Sequence, residues 1–160
     1  KKLDYECELA VVLGRDARDV PAGQTRDYIF GYTILNDVSA RDVQTAHKQW
    51  YFGKSLDGFT PIGPCIVTAD AFADYPPRLG IRSFVNGEKR QDSNTALQIF
   101  DIDHVIAELS QGMTLKAGTI IATGTPAGVG MGMDPPQFLK PGDVVRCEID
   151  GIGTLTNPVK

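Results

Sequence analysis

The sequence predicts a strand-rich α+β domain with few and short helices, and three observations carry that prediction. Alternating runs flank Asn86-Gly87 in "IRSFVNGEKRQD" and Asp150-Gly151 in "VVRCEIDGIGTLTN", and such pairs are the strongest short-range signal of a β-hairpin. Only one stretch, near residues 101–112, has the apolar spacing of an amphipathic helix. The chain of 160 residues, 42% of them hydrophobic, has about the size of one domain.

The first third of the chain predicts two strands separated by a loop and followed by a short helix. Residues 5–13 alternate between two faces, and Gly14 ends the run. After a polar loop over 15–25, "DYIFGYTILND" predicts a short helical turn and a strand that ends at Asn36 or Asp37. "SARDVQTAH" contains helix formers without Gly or Pro, so we expect one or two helical turns with Ser39 as the N-cap.

Glycine and proline punctuate the rest of the chain. "GKSLDGFTPIGP" predicts an irregular loop that fixes the positions of its side chains, with a strand over 65–69 after it. The amphipathic helix begins near Asp101 or Asp103 and ends before Gly112. "GTIIATG" predicts a buried strand that leads into a glycine-rich loop over 124–132. That loop lacks the lysine of a phosphate-binding loop, so we do not expect it to bind phosphate.

Composition excludes several classes of partner. The net charge is −4 and no block of Lys and Arg stands out, so we expect neither nucleic-acid nor membrane binding and instead a small-molecule partner. No apolar run is long enough to span a membrane and no signal peptide opens the chain, so we expect a cytoplasmic protein. Cys7, Cys65 and Cys147 are far apart and outside C-x-x-C spacing, so each is expected to be a buried apolar side chain.

Two glutamates stand at the head of the first predicted strand. Glu6 and Glu8 are two positions apart, so a strand would project both carboxylates from the same face. Like charges at a half-buried site repel and are costly to desolvate, unless a cation neutralises them or one of the two stays protonated. The pair therefore indicates either a cation site or a solvated face of an edge strand, and the pattern alone leaves both open.

A second cluster lies in "NDVSARDVQ". Asp37, Arg41 and Gln44 have the spacing i, i+4 and i+7, which would place them on one face if the stretch is helical. Asp37 could then complete a three-carboxylate oxygen site, although a plain Asp37–Arg41 ion pair explains the spacing equally well. Lys54 lies in a Gly- and Pro-rich loop, so it is a candidate for a positioned cation. His47 and His104 have no metal-ligand spacing, and the absence of G-x-S-x-G argues against a serine hydrolase.

Taken together, the motifs resemble those of the fumarylacetoacetate hydrolase (FAH) family. "YECELAVVLG", "GYTILNDVSARDVQ", "GKSLDGFTPIGP", "VNGEKRQDSNT", "LSQGMTLKAGTIIATGTPAGVG" and "PPQFLKPGDVVRCEIDGIGTLTNPV" occur in the family's order. The resemblance implies that residues 1–160 form the FAH catalytic domain of a small FAH-domain protein, a mixed β-sandwich or roll with few short helices. It also implies a homodimer. The family's catalytic His/Glu pair, on a lid ahead of the E-x-E strand, is expected to precede Lys1.

The resemblance implies a metal centre. The family's E-x-E pair falls on Glu6 and Glu8, and its strand-end aspartate falls on Asp37; in the family these three residues are metal ligands. Carboxylate oxygens suit a hard cation, so we expect Mg²⁺, with Mn²⁺ or Ca²⁺ as alternatives.

The resemblance also implies a substrate side of the site. Arg41 and Gln44 fall on positions that face the substrate, and Thr125 falls on the residue that contacts the substrate carboxylate. Lys54 falls on the family's lysine, for which we expect both substrate binding and a catalytic role in stabilising a developing enolate.

The expected chemistry is the activation of a 2-oxo or diketo acid. Such a substrate offers two oxygens to the metal, which as a Lewis acid would polarise the ketone and stabilise an enolate. Our first hypothesis is a hydrolase that cleaves a C–C bond in an acylpyruvate, fumarylpyruvate or fumarylacetoacetate. The alternative is an isomerase or tautomerase of a 2-oxo diacid, of the 2-hydroxyhepta-2,4-diene-1,7-dioate isomerase type, or an oxaloacetate decarboxylase. A non-catalytic binding domain stabilised by Ca²⁺ is the alternative of another class.

Overall fold

Two four-stranded sheets form the body of the protein in the computed structural model, which describes residues 2–46 and 48–160. The first sheet has the spatial order β5 (Ile62–Thr68), β3 (Ile29–Asn36), β2 (Cys7–Leu13) and β8 (Ile120–Ala122). The second has the order β10 (Gly153–Pro158), β9 (Val144–Ile149), β6 (Gly80–Val85) and β7 (Glu88–Asn94). A short ribbon pairs β1 (Leu3–Asp4) with β4 (Ser39–Ala40). All strand pairs of the described residues are antiparallel.

Three short α-helices accompany these sheets in the part of the chain that is described: α1 (Arg41–Ala46), α2 (Tyr51–Lys54) and α3 (Ile102–Ser110). The strand-rich α+β prediction is confirmed. None of these helices is long and apolar enough to cross a membrane.

The core lies between the two sheets. Every residue of β2 is buried; β3 and β8 flank this strand, and the second sheet covers the face that carries Leu9 and Val11. Leu9 and Val11 from β2 belong to the same buried cluster as Ile81 from β6 and Ile149 from β9. Full burial of one such side chain is worth roughly 1.5–3 kcal/mol, so this cluster holds β2 firmly in place.

Both predicted hairpins and the predicted helix form. Asn86 and Gly87 connect β6 to β7 and have φ angles of 52° and 86°, as the tight turn requires. The turn between β9 and β10 is one residue longer than a two-residue hairpin loop, since Ile149 pairs directly with Gly153. In α3, the side chain of Asp101 accepts a hydrogen bond from the backbone N–H of His104 at 2.8 Å and caps the helix.

The prediction of Ser39 as a helix N-cap is wrong. Ser39 lies in β4, and its hydroxyl donates to the Asp37 carbonyl at 2.9 Å, so α1 starts only at Arg41. Asp37 therefore precedes the helix instead of lying on its face. The loop predicted over 53–64 is also shorter than expected, because α2 includes its first residues and β5 begins at Ile62.

Two predictions of burial are wrong for a common reason. Only Ile121 of β8 is buried, whereas Ile120 is 48% exposed, because β8 is an edge strand of its sheet. Cys65 is exposed on the opposite edge strand, β5, while Cys7 and Cys147 are buried as predicted. His104 is exposed, and His47 lies outside the described residues.

Candidate metal centre and substrate site

Three carboxylates converge where β2 begins and β3 ends. Antiparallel pairing brings Cys7 opposite Asn36, so Glu6 lies beside Asp37, and Glu8, opposite Leu35, projects from the same face as Glu6. One carboxylate oxygen from each of the three acids lies within 4.8 Å of the others. Because Glu6 is 8% exposed and Glu8 is 2% exposed, the solvated-face alternative for this pair is wrong.

Backbone pairing fixes the position of Glu6. Its N–H donates to the side-chain oxygen of Asn36 at 3.0 Å, and its carbonyl accepts from the N–H of Asp37 at 2.9 Å. The second bond continues the β2–β3 pairing by one residue, and the first adds a side-chain bond from the same strand. The main chain therefore holds Glu6 and Asp37 side by side.

Two cations contact the carboxylates. The ammonium of Lys54 lies 2.9 Å from Glu6 Oε2 and 2.5 Å from Asp37 Oδ2. The guanidinium of Arg41 lies 2.7 Å from Glu6 Oε1. Arg41 does not contact Asp37 among the described ion pairs, so the alternative of a plain Asp37–Arg41 pair is wrong.

Arg41 is buried and all of its nitrogens are engaged. Besides Glu6, it contacts Asp4 Oδ2 through Nε at 2.9 Å and donates to Gln44 Oε1 through Nη1 at 3.1 Å. Asp4 is itself fully buried and accepts hydrogen bonds from the N–H groups of Gly130 and Met131 at 2.7 and 2.9 Å. The glycine-rich loop thus supports Asp4, which supports Arg41. The substrate contacts expected of Arg41 and Gln44 stay predictions.

Sequence reasoning missed Asp4, although a signal was present. Asp4, Glu6 and Glu8 are spaced two residues apart at the head of a hydrophobic run, and the same argument applies to all three. A buried carboxylate needs a cation or several N–H donors, and Asp4 has both.

Burial and neighbouring charges shift the pKa values of Glu8, Asp37 and Lys54. Burial, reinforced by the charges of Asp37 and Glu6, raises the pKa of Glu8 to about 7 against the lowering effect of its hydrogen bond from the Gly124 N–H. Burial also raises the pKa of Asp37, although the bond from Lys54 opposes it. For Lys54, burial disfavours the charge, but the bonds to Asp37 and Glu6 outweigh it and raise the pKa.

Thr125 lies beside the centre on the loop that follows β8. Its hydroxyl donates to the Cys7 carbonyl at 2.9 Å and accepts from the side-chain amide of Gln91 at 2.8 Å. Gly124 and Thr125 also line a groove of about 470 Å³, whose lining contains no charged side chain. The metal-centre carboxylates are outside that lining, and the predicted contact of Thr125 with a substrate carboxylate stays a prediction.

The whole chain matches the model of a known protein family. Residues 1–160 match the family model described as fumarylacetoacetate (FAA) hydrolase C-terminal. The chain belongs to the FAH family. Its motifs therefore indicated the correct family.

Relatives of the FAH domain include named enzymes. The chain is 50% identical over 158 residues to the oxaloacetate tautomerase YisK of Bacillus subtilis, with 99% of this chain and 52% of that protein covered. It thus spans about half the length of the curated relatives it matches.

Solved structures of the family superpose closely on the FAH domain. A fumarylacetoacetate hydrolase from psychrophilic Exiguobacterium antarcticum has a TM-score of 0.96 and 52% identity, covering 100% of this chain and 57% of that one. A 2-hydroxyhepta-2,4-diene-1,7-dioate isomerase from Mycobacterium marinum has a TM-score of 0.89 and 46% identity, covering 99% of this chain and 59% of that one.

The donor set of the FAH domain fits a divalent cation. Glu6, Glu8 and Asp37 offer carboxylate oxygens at a common point, and oxygen ligands suit hard cations. With Asp4 included, the centre contains four carboxylates and the two cations Arg41 and Lys54. When all are ionised, two negative charges remain in excess, which a divalent cation would neutralise. The centre could therefore hold a metal.

Proposed function

We propose that the FAH domain forms the metal-binding and enolate-stabilising part of an enzyme that isomerises or tautomerises a 2-oxo acid. The observation that carries the proposal is the convergence of three buried carboxylates with the Lys54 ammonium. Relatives named oxaloacetate tautomerase and 2-hydroxyhepta-2,4-diene-1,7-dioate isomerase support proton transfer over C–C hydrolysis. The hydrolase hypothesis, which one neighbour's name favours, becomes an outcome of the test.

Glu6, Glu8 and Asp37 would hold the divalent cation. We propose Mg²⁺, with Mn²⁺ and Ca²⁺ as alternatives, because small hard cations take carboxylate and water oxygens. When bound, such a cation polarises the 2-oxo group and favours the enolate. Arg41, which buried Asp4 anchors, holds one oxygen of Glu6 and so fixes this ligand.

Lys54 is proposed to stabilise negative charge on the substrate. Its ammonium carries three protons, and hydrogen bonds to Glu6 and Asp37 use two of them. The remaining proton can be donated to an oxygen of the substrate. A fixed positive charge that is half-buried stabilises an enolate oxygen more than a solvated one would.

Tautomerisation removes a proton from the carbon next to the ketone and adds one to the oxygen. We propose that the group that moves this proton belongs to the rest of the protein, on the lid segment that the family resemblance implies. The residues that orient the substrate are proposed to be Arg41, Gln44 and Thr125, as the resemblance implies. Residues 1–160 would then act as the catalytic domain of the whole protein.

The experiment compares three reactions in the full-length protein with Mg²⁺. Enol–keto interconversion of oxaloacetate is followed by the ultraviolet absorbance of the enol, its decarboxylation by CO₂ release, and cleavage of an acylpyruvate by loss of the diketone absorbance. We expect accelerated interconversion, and we expect Glu8→Gln to lower it by about 100-fold or more. Asp92→Asn, at an exposed ion pair with Lys89, is the matched control and should retain full activity.

Results other than accelerated interconversion would support a different hypothesis. Acylpyruvate cleavage without interconversion would restore the hydrolase hypothesis, and CO₂ release alone would indicate a decarboxylase. Ca²⁺ binding that raises stability without any turnover would indicate a structural binding domain. If the wild-type protein accelerates none of the three reactions, the proposed enzyme activity is wrong for these substrate classes.

Two further expectations belong to the whole protein. We propose that it is a homodimer, as the family resemblance implies, and sedimentation of the full-length protein tests this. We also propose a cytoplasmic location, which cell fractionation tests.

A further inference from the structure

Gln91 is a buried side chain of the second sheet that reaches the strand of the metal centre. It is the only buried residue of β7. Its amide oxygen accepts hydrogen bonds from the Cys7 N–H at 3.1 Å and from the Ser83 hydroxyl at 2.8 Å. Its amide nitrogen donates to the Thr125 hydroxyl and to the Pro126 carbonyl, both at 2.8 Å. The amide therefore uses its full capacity of two acceptor and two donor positions.

Cys7, the residue between Glu6 and Glu8, relies on this amide. On the side of β2 that faces β8, strand pairing ends with Ala10 opposite Ala122, so no strand residue there pairs with Cys7. Gln91 instead accepts from the Cys7 N–H, and the Thr125 hydroxyl donates to the Cys7 carbonyl at 2.9 Å. Two side chains thus replace the missing strand, since buried backbone groups without partners are costly.

Only one orientation of the Gln91 amide satisfies its backbone partners. If the amide were flipped, its NH₂ group would face the N–H of Cys7 and its oxygen would face the carbonyl of Pro126. Donor would meet donor, and acceptor would meet acceptor. The two backbone groups therefore determine a single orientation, which in turn fixes the distance between β2 and the loop after β8.

The same loop holds the Glu8 carboxylate. The N–H of Gly124 donates to Glu8 Oε2 at 2.8 Å, and the next residue, Thr125, is the one that Gln91 binds. Gln91 consequently acts on the centre in two ways. It holds the backbone from which Glu6 and Glu8 project, and it holds the loop that orients the Glu8 oxygen.

We propose that Gln91 is a positioning residue of the metal centre, which keeps Glu6 and Glu8 at the separation that a divalent cation requires. The inference rests on the proposed function, because it takes these carboxylates to be ligands. Gln91 contacts neither the carboxylates nor the groove, so it acts through Cys7, Thr125 and Gly124.

The first test replaces Gln91 by methionine, which has a similar length and cannot form these bonds. Calorimetric titration of the full-length protein with MgCl₂, without substrate, should show an affinity about 10–100-fold weaker than that of the wild type. Ser110→Ala is the matched control. Ser110 is equally buried and bonds the Val20 N–H and the Ala107 carbonyl, so its loss should lower the thermal midpoint and leave Mg²⁺ affinity unchanged.

A second pair of variants covers the case in which Gln91→Met does not fold. Thr125→Val removes the hydroxyl that joins Gln91 to Cys7, whereas Thr125→Ser keeps it. We expect weaker Mg²⁺ binding for the valine variant and wild-type binding for the serine variant. In metal-free protein, hydrogen exchange of the Cys7 amide should be faster in the valine variant, which reports on the backbone without any metal.

These measurements separate the two proposals. If the wild type binds Mg²⁺ but folded Gln91→Met or Thr125→Val binds it equally well, the positioning role is wrong and the proposed function stands. If the wild type binds no divalent cation at all, the proposed metal centre fails first. If Gln91→Met lowers only the thermal midpoint and leaves Mg²⁺ affinity unchanged, as expected for Ser110→Ala, then Gln91 has a purely structural role and the proposal is wrong.

Discussion

At the scale of single residues, Glu6 has the most contacts with cations in the centre. One of its oxygens is held by Arg41 and the other by Lys54. Arg41 in turn is fixed by buried Asp4, so its position is set before any substrate arrives. Lys54 is 19% exposed at its side chain and has a proton to donate, so it is the cation better placed to meet a substrate.

This difference predicts the behaviour of Lys54→Met. Removal of the ammonium increases the excess negative charge around Glu6 and Asp37, so Mg²⁺ affinity should stay the same or become tighter. Turnover should fall by about 100-fold or more, because the enolate loses its fixed positive charge. Calorimetry and steady-state kinetics on the same preparation measure both effects. Loss of Mg²⁺ binding would instead make Lys54 a structural support of the ligands.

The raised pKa of Glu8 leads to a prediction of how metal binding depends on pH. Its pKa is raised to about 7, so below that pH the carboxyl holds a proton that the metal must displace. Mg²⁺ affinity should therefore fall with decreasing pH, approaching about tenfold per pH unit well below 7, and level off above it. Titrations at a series of pH values in buffers of different ionisation enthalpy give both the affinity and the protons released. An affinity that is constant between pH 5 and 7 would contradict this prediction.

At the scale of secondary-structure elements, the close approach of α1 and α2 decides where Lys54 lies. Gly53 has no side chain, and a Cβ built there would come within 2.7 Å of the Gln44 backbone nitrogen and 2.8 Å of its Cα. Contacts this short force the two helices apart, because packed backbone has little room to yield. The glycine thus lets α2 place Lys54 against the carboxylates while α1 places Arg41.

Gly53→Ala tests this arrangement. The added methyl should shift α2, weaken the contacts of Lys54 with Glu6 and Asp37, and lower turnover as Lys54→Met does, with smaller magnitude. Gly132→Ala is the control, because a Cβ there meets its nearest atom at 3.8 Å, an ordinary contact. Kinetics and a thermal midpoint for both variants measure the effect. Equal activity of the two variants would show that the α1–α2 spacing does not govern the site.

At the scale of the whole molecule, the centre joins parts that are far apart in sequence. The ligands come from the start of β2 and the end of β3, and α2, β7 and the loop after β8 contribute the groups that hold them. In such an arrangement, binding of a cation should stabilise the whole fold, because the unfolded chain offers no assembled site.

Removal of the metal should therefore lower the free energy of unfolding by a predictable amount. With Mg²⁺ at about 100 times its dissociation constant, the free energy of unfolding should rise by about 2.7 kcal/mol over the metal-free protein. Urea unfolding of the full-length protein in EDTA and in MgCl₂ measures the difference. Glu8→Gln provides the control, since its unfolding should respond little to Mg²⁺. The same response in wild type and Glu8→Gln would place metal binding elsewhere in the protein.

Much of the fold and part of the site could be predicted because their signals are local. The turn at Asn86 and Gly87, the cap at Asp101 and the two-residue period that puts Glu6 and Glu8 on one face each depend on a few neighbouring residues. Edge position is not local, so the exposure of Ile120 and Cys65 was missed. Both lie in strands that look buried by composition.

The sequence by itself determined the family, the strand-rich architecture and the three acidic residues that converge. Only the tertiary structure decided what surrounds those acids. Gln91 bonds Cys7 across 84 positions, Gly124 bonds Glu8 across 116, and Lys54 bonds Glu6 across 48. No local pattern encodes such pairings, because sheet packing brings the partners together only after the chain has folded. The chemistry at the site depends on these long-range neighbours, because they determine the net charge of the centre, the pKa values of its carboxyl groups and the positions of the metal ligands.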